Sequence, residues 1–143
     1  MKRTPITIVT IALILYIFLV FFCCLYKFSG TDNIDLAQYF LGIRLDRYIH
    51  FTMFFPYPFV AWLYIKSSKR GTFYSKYKYS TILLTGLILA SVAEASQEML
   101  TSYRDTDPFD LIANFMGISV ATIIVYIFRN ILSRLYILVF GQK

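Results

Sequence analysis

The residues with the clearest potential for chemistry are ionisable and amide side chains that lie inside or beside long apolar runs. Glu94, Gln97 and Glu98 are three and four positions apart, which places them on one face if this stretch is a helix. Two glutamates one turn apart repel each other and lose hydration in lipid, so we expect at least one to take up a proton or contact a cation. Such a pair suits proton transfer or cation binding, and Glu94 is the deeper of the two.

Further polar side chains are spaced so that neighbouring helices would bring them to the same membrane depth. Asp46 and His50 are one helical turn apart at the start of the second apolar run. Asp110 and Asn114 have the same spacing at the start of the fourth run. The candidate polar site predicted from the sequence consists of Asp46, His50, Glu94, Gln97, Glu98, Arg104, Asp107, Asp110 and Asn114.

Each of these residues also has a purely structural explanation. Arg104 would close a short loop through an interfacial ion pair with Asp107 or Asp110, and Asn114 would hold two helices together by bonding to Gln97 or Glu94. His50 would donate to Asp46 or to a carbonyl group. The acidic and histidine residues follow no metal-ligand spacing, so we expect no metal and no other cofactor.

The polar residues stand in a chain that is otherwise strongly apolar. Of its 143 residues, 58% are hydrophobic and only 15% are charged, whereas soluble domains carry about 25% charged residues. This deficit excludes a soluble enzyme, a nucleic-acid-binding module and a disordered chain, and the length predicts a single domain over residues 1–143. Cys23 and Cys24 are adjacent inside an apolar run, which excludes a disulfide framework.

The apolar runs predict an all-α integral membrane protein. An open sheet cannot span lipid because its edge groups stay unpaired, and so few segments cannot close a barrel. Pro56 and Pro58 predict a kink in the second segment, whose freed carbonyl groups would take donors from the polar site. The four predicted transmembrane helices cover about residues 6–26, 48–65, 79–100 and 109–128.

The charges between these segments predict the orientation. Both termini and the loop over residues 66–79 carry basic residues and no acids, whereas all eight acidic residues fall in the other compartment or the adjoining half of the membrane. The positive-inside rule then places both termini in the cytoplasm. We also expect a short outer interfacial helix over residues 31–45 and an inner-surface helix over residues 131–140, which are too few to cross.

The order and spacing of the polar residues resemble the VanZ-like family, over about residues 46–128. Arg47 stands where the family more often has lysine, and the loop after Gln97 lacks the proline–glycine turn associated with the family. The residues that carry the resemblance are, in order, Asp46, Arg47, His50, Phe51, Glu94, Gln97, Arg104, Asp110, Asn114 and Gly117.

The resemblance implies a small four-span protein of the bacterial cell envelope, located in the cytoplasmic membrane, whose namesake lowers susceptibility to the glycopeptide teicoplanin. It implies no particular reaction. We expect a membrane lipid or a lipid-linked or peptidoglycan-related precursor to bind at an outward-facing polar site, with no nucleic-acid partner. One alternative is an outer-leaflet enzyme that uses Glu94 or Glu98 with Arg104 or His50. Another is a proton- or ion-coupled carrier or assembly subunit, which would need a homo-oligomer.

Overall fold

The chain folds mainly into helices. The computed structural model describes residues 5–26, 39–68, 72–101 and 107–141. A two-stranded hairpin of β1 (Tyr39–Phe40) and β2 (Ile43–Arg44) precedes the second helix. The helices in the described part of the chain are α1 (Pro5–Leu25), α2 (Leu45–Phe54), α3 (Tyr57–Ser67), α4 (Thr72–Leu100), α5 (Pro108–Ile127) and α6 (Arg129–Phe140).

Among the described residues, three stretches of helix are long and apolar enough to cross a membrane: Pro5–Leu25, Lys76–Leu100 and Pro108–Ile127. Large apolar side chains on them are exposed, among them Phe18 and Ile123, as expected for helices that face lipid. The prediction of a mainly helical chain is confirmed, and these helices are compatible with a multi-pass membrane protein.

The second predicted segment consists of two helices, α2 and α3. Pro56 and Pro58 have no backbone N–H, and both lie at the start of α3, where no donor is needed inside the helix. Next to the break, the Met53 carbonyl oxygen accepts a hydrogen bond of 2.7 Å from the Tyr16 hydroxyl group. The donor observed at the Met53 carbonyl is therefore on α1.

Residues 39–44 form the hairpin and not the end of the predicted interfacial helix. Leu41 and Gly42 in its turn have φ angles of 51° and 78°. Positive φ at both central residues is typical of a type I′ turn and cannot continue a right-handed helix. The prediction of a helix is therefore wrong for residues 39–44, and residues 31–38 lie outside the described residues.

Small residues allow α5 to pack closely against its neighbours, α2, α3 and α4. The closest approach involves Gly117, where an added Cβ would overlap the carbonyl oxygen of Phe51 on α2. At the other end of the molecule, α6 is anchored by a 3.1 Å hydrogen bond between Ser67 and Tyr136, whose side chain is buried. The predicted C-terminal helix is thus a separate helix that packs against α3.

Candidate functional site

His50, Glu94 and Asn114 form a buried cluster where α2, α4 and α5 meet, and we call it the inner cluster. The Asn114 side-chain amide donates to Glu94 Oε1 at 2.6 Å. His50 Nδ1 is 3.2 Å from that same oxygen and 3.2 Å from Asn114 Oδ1. The three residues are 1%, 6% and 0% exposed, respectively. These contacts connect three helices that are far apart in sequence.

Asp110 lies on the other side of the His50 ring. Its Oδ2 is 3.7 Å from His50 Nε2, which is beyond hydrogen-bond distance but close enough for an ion pair. Its Oδ1 is buried and has no hydrogen-bond partner in the described part of the chain. An imidazole donates from one nitrogen and an imidazolium from both. The geometry therefore allows His50 to hold a proton between Glu94 and Asp110, or to pass one from one carboxylate to the other.

A second group, the outer cluster, consists of Arg44, Asp46, Arg47 and Asp107. Arg44 pairs with Asp46 and lies 3.2 Å from Asp107 Oδ2. Arg47 lies 3.3 Å from the same Asp107 oxygen, and its backbone N–H donates to Asp46 Oδ1 at 2.8 Å. Asp107 Oδ2 thus accepts hydrogen bonds from two guanidinium groups.

Both carboxylates of the outer cluster stand at helix N-termini, which favour negative charge. Asp107 caps α5 by accepting a 2.9 Å hydrogen bond from the Phe109 N–H. Burial alone would raise the pKa of Asp107, but the Phe109 N–H and the guanidinium groups of Arg47 and Arg44 together lower it. Asp107 therefore stays ionised at neutral pH and holds both arginines near the start of α5.

A groove of about 360 Å³ runs beside the outer cluster, between α2 and α5, and we call it the lateral groove. Arg47 supplies the only charge in its lining, and its guanidinium carbon lies 4.4 Å from the centre of the Phe109 ring. The Nε atoms of Arg44 and Arg47 are buried and have no acceptor among the described residues. The residues that line the groove are Ile43, Arg47, Tyr48, Phe51, Phe109, Ile112, Ala113 and Met116.

Most of the residues predicted from the sequence come together in these two clusters, but Glu98 does not. Gln97 is buried on α4 beside the inner cluster, with 6% of its surface exposed. The buried stripe of α4 runs through Ala90, Ala93 and Gln97, and Glu98 lies about 100° around the helix from its centre. Glu98 is accordingly exposed. Arg104 lies outside the described residues.

The sequence reasoning did not include Arg44 or Arg47 among the site residues. The available signal was the order Arg44, Asp46, Arg47 at the start of a helix, directly after the turn at Gly42. Within the described ranges, no group of three or more histidine, cysteine, aspartate or glutamate side chains has a geometry that could hold a metal ion.

The fold and the two clusters define a class of protein: a mainly helical chain with membrane-compatible helices and buried ionisable side chains at one end. In comparisons with known proteins, the chain matches no protein-family model, no curated protein and no solved structure.

Proposed function

We propose that the chain is a four-span protein of the bacterial cytoplasmic membrane with both termini in the cytoplasm. The helices α2 and α3 contain 10 and 11 residues, and a pair of that total length spans roughly 30 Å. Lys66 lies in the last turn of α3, Lys78 near the start of α4 and Arg129 at the start of α6. They sit at the opposite end of the helices from the two clusters, which supports the orientation given by the positive-inside rule.

Labelling of single cysteines tests this topology. In a chain lacking both native cysteines, Met99→Cys and Ser75→Cys are placed at opposite ends of α4, and Met99 is 82% exposed. We expect a membrane-impermeant thiol reagent added to intact cells to label position 99 and not position 75. The reverse pattern would show that the orientation is wrong, and labelling of both positions would exclude α4 as a span.

Within this topology we propose a VanZ-like envelope protein that binds an anionic, lipid-linked precursor at the outward end and thereby lowers susceptibility to teicoplanin-type glycopeptides. Family membership is supported by geometry, because residues of the resemblance that are 67 positions apart, His50 and Gly117, lie on packed helices α2 and α5. The observation that carries the ligand assignment is that Arg47 is the single charged residue among those that line the lateral groove.

The chemistry of this position suits a phosphate attached to a hydrocarbon chain. A guanidinium group has five N–H donors, and the contact of Arg47 with Asp107 is made by Nη2 at 3.3 Å. Phosphate oxygens accept charge-assisted hydrogen bonds from arginine in a planar, two-point arrangement. The remaining lining of the lateral groove is uncharged, which suits a hydrocarbon chain.

Mass spectrometry of lipids that co-purify with the protein tests the assignment. We expect the parent to retain a phosphate-bearing lipid, Arg47→Gln to lose most of it, and Arg47→Lys to retain part, because lysine keeps the charge but not the planar fork. Arg134→Gln is the matched control, since it removes the same charge from an exposed position on α6. Met116→Trp fills the groove without changing charge and should also reduce retention.

Susceptibility to teicoplanin, measured in cells that express each variant at matched levels, should follow lipid retention. If Arg47→Gln folds normally and retains the same lipids as the parent and Arg134→Gln, the binding assignment is wrong. If lipid retention falls but susceptibility does not change, binding is supported and the link to glycopeptides is wrong.

A second candidate function, a proton-coupled carrier or assembly subunit, is favoured by one specific observation. Both ring nitrogens of His50 face carboxylates, Glu94 at 3.2 Å and Asp110 at 3.7 Å. Proton-dependent flux in proteoliposomes that is lost in His50→Gln would support this function over simple binding. An outer-leaflet enzyme would have to use Glu94 with His50, which are 3.2 Å apart, since Glu98 is exposed and apart from the inner cluster.

A further inference from the structure

The end of the molecule opposite the two clusters carries positive charges that no described acid neutralises. Lys66 lies in the last turn of α3, Lys78 near the start of α4 and Arg129 at the start of α6, so all three are at this end of their helices. Among the described residues, the acids are all near the opposite end: Asp46, Glu94, Glu98, Asp107 and Asp110. We call Lys66, Lys78 and Arg129 the basic cluster.

Two tyrosine rings position two of these cations. Tyr79 and Tyr126 meet edge to face, with ring centres 5.1 Å apart. The ammonium nitrogen of Lys78 lies 5.1 Å from the Tyr79 ring centre, and the guanidinium carbon of Arg129 lies 4.7 Å from the Tyr126 ring centre. Cation–π contacts of this kind fix the cations without neutralising them. Both charges are therefore held beside one aromatic pair that joins α4 to α5.

Arg129 retains donors for a ligand. Its Nη1 donates to the Tyr126 carbonyl oxygen at 2.9 Å, and a guanidinium group has five N–H donors in all. That bond fixes the side chain at the junction of α5 and α6, with the rest of the fork available. The two lysines add compact charges to the planar fork, a combination that suits a phosphate group.

We propose that the basic cluster binds the phosphate of an anionic phospholipid headgroup in the leaflet at that end of the protein. Helices that span a membrane place their ends at the depth of the lipid phosphates, and basic side chains at that depth are attracted to anionic lipids. Repulsion among the three cations decreases when a phosphate lies between them. This site is separate from the lateral groove and does not depend on the function proposed for it.

Lipid exchange into the purified full-length protein tests the proposal. The probes are phosphatidylglycerol and phosphatidylcholine, and bound lipid is counted by native mass spectrometry over a concentration series. We expect the parent to prefer phosphatidylglycerol. A change of about 1 kcal/mol per basic residue corresponds to roughly five-fold in affinity. Lys78→Gln/Arg129→Gln should therefore weaken phosphatidylglycerol binding by about 25-fold and leave phosphatidylcholine binding unchanged.

The control is Arg134→Gln, an exposed position on α6 whose charge does not act on Lys78. It should change phosphatidylglycerol binding by less than about two-fold. If Arg134→Gln loses as much phosphatidylglycerol affinity as the double variant, the lipid is attracted to positive charge in general, and the proposal of a specific site is wrong. If inorganic phosphate raises the melting temperature as much as phosphatidylglycerol does, the ligand is a free phosphate and the lipid assignment is wrong. Lys78→Ala/Arg129→Ala, which should give the same loss, covers the case in which the glutamine variant fails to fold.

Discussion

Replacing Gly117 with alanine tests the close packing of α2 and α5, on which the geometry of the inner cluster depends. An added Cβ would overlap the Phe51 carbonyl oxygen and lie 3.2 Å from the Phe51 carbonyl carbon. These are backbone atoms, so no side-chain rotation relieves the overlap and the two helices must separate. His50 directly precedes Phe51, and Asn114 lies one turn before Gly117. Separation would therefore lengthen the 3.2 Å contact between His50 and Asn114.

The size and the sign of the effect follow from three contributions to the free energy of unfolding. Overpacking costs about 1–3 kcal/mol, and a hydrogen bond between membrane helices contributes about 0.6 kcal/mol on average. Alanine in a helix interior is favoured over glycine by about 0.5–1 kcal/mol. We therefore expect Gly117→Ala to destabilise the protein by about 1–3 kcal/mol. If there were open space at this position, the same substitution would stabilise the protein, because alanine is favoured over glycine in a helix.

The measurement is reversible unfolding in mixed detergent micelles, with Gly86→Ala as the matched control. An added Cβ at Gly86 would lie 2.9 Å from side-chain atoms of Ile118 and Tyr57. Side chains adjust more easily than backbone, so Gly86→Ala should destabilise the protein less. An unfolding free energy of Gly117→Ala equal to or above that of the parent would refute the close approach. An equal loss in both variants would show that backbone overlap is not the cause.

Three further predictions concern single hydrogen-bonding groups. Glu94→Gln keeps an acceptor for the Asn114 amide and should fold normally, whereas Glu94→Leu should lower the free energy of unfolding by about 1–3 kcal/mol. If Glu94→Gln folds normally but loses the glycopeptide phenotype completely, proton transfer is favoured. The lowered pKa of Asp107 means that its contacts stabilise the fold above about pH 4 and that this contribution is lost as the pH falls further. Asp107→Asn keeps the helix cap but cannot titrate, so its melting temperature should fall less on acidification than that of the parent. Tyr16→Phe leaves the Met53 carbonyl without its donor and should reduce the unfolding free energy by about 0.5–2 kcal/mol; an unchanged value would mean that another donor replaces the hydroxyl group.

The convergence of the inner-cluster side chains could be predicted, because sequence spacing alone determines which residues share a helix face. The i, i+4 spacing of Asp110 and Asn114, together with the apolar runs around them, predicts which side chains point the same way. The exact rotation of a helix is not local, because it depends on where small residues let a neighbour approach. Ala90 and Ala93 set the buried stripe of α4 and leave Glu98 outside it. Sequence spacing alone therefore does not separate Glu98 from the side chains that converge.

The contacts of the two arginines in the outer cluster could not be predicted, for a different reason. Arg47 and Asp107 are 60 positions apart, and their contact depends on the hairpin before α2 and on the cap of α5. The helix-like spacing over residues 31–45 concealed the hairpin, although Gly42 was the signal for a turn. The break at Pro56 was predicted as a kink, but the donor that stabilises it comes from α1, to which no local pattern points.

The two candidate functions are linked by electrostatics, and this gives a last prediction. Asp110 interacts electrostatically with His50 on one side and with Asp107 of the outer cluster on the other. A phosphate bound at Arg47 would add negative charge close to this chain of groups. Negative charge favours the protonated form of a nearby imidazole, so ligand binding and protonation of His50 should strengthen each other.

The affinity for a phosphate-bearing lipid should therefore rise as the pH falls, and this dependence should be steeper in the parent than in a variant that lacks the imidazole. The assay is a lipid titration of the purified protein between about pH 5 and 8, with His50→Gln as the comparison. The phosphate group itself titrates equally in both proteins, so only the difference between them reports on His50. The variant should fold, because glutamine keeps a donor for Glu94, and its affinity should depend less on pH. An identical pH dependence in both proteins would show that ligand binding at the outer cluster is not coupled to protonation of His50. The role of the inner cluster would then be structural, to hold α2, α4 and α5 together.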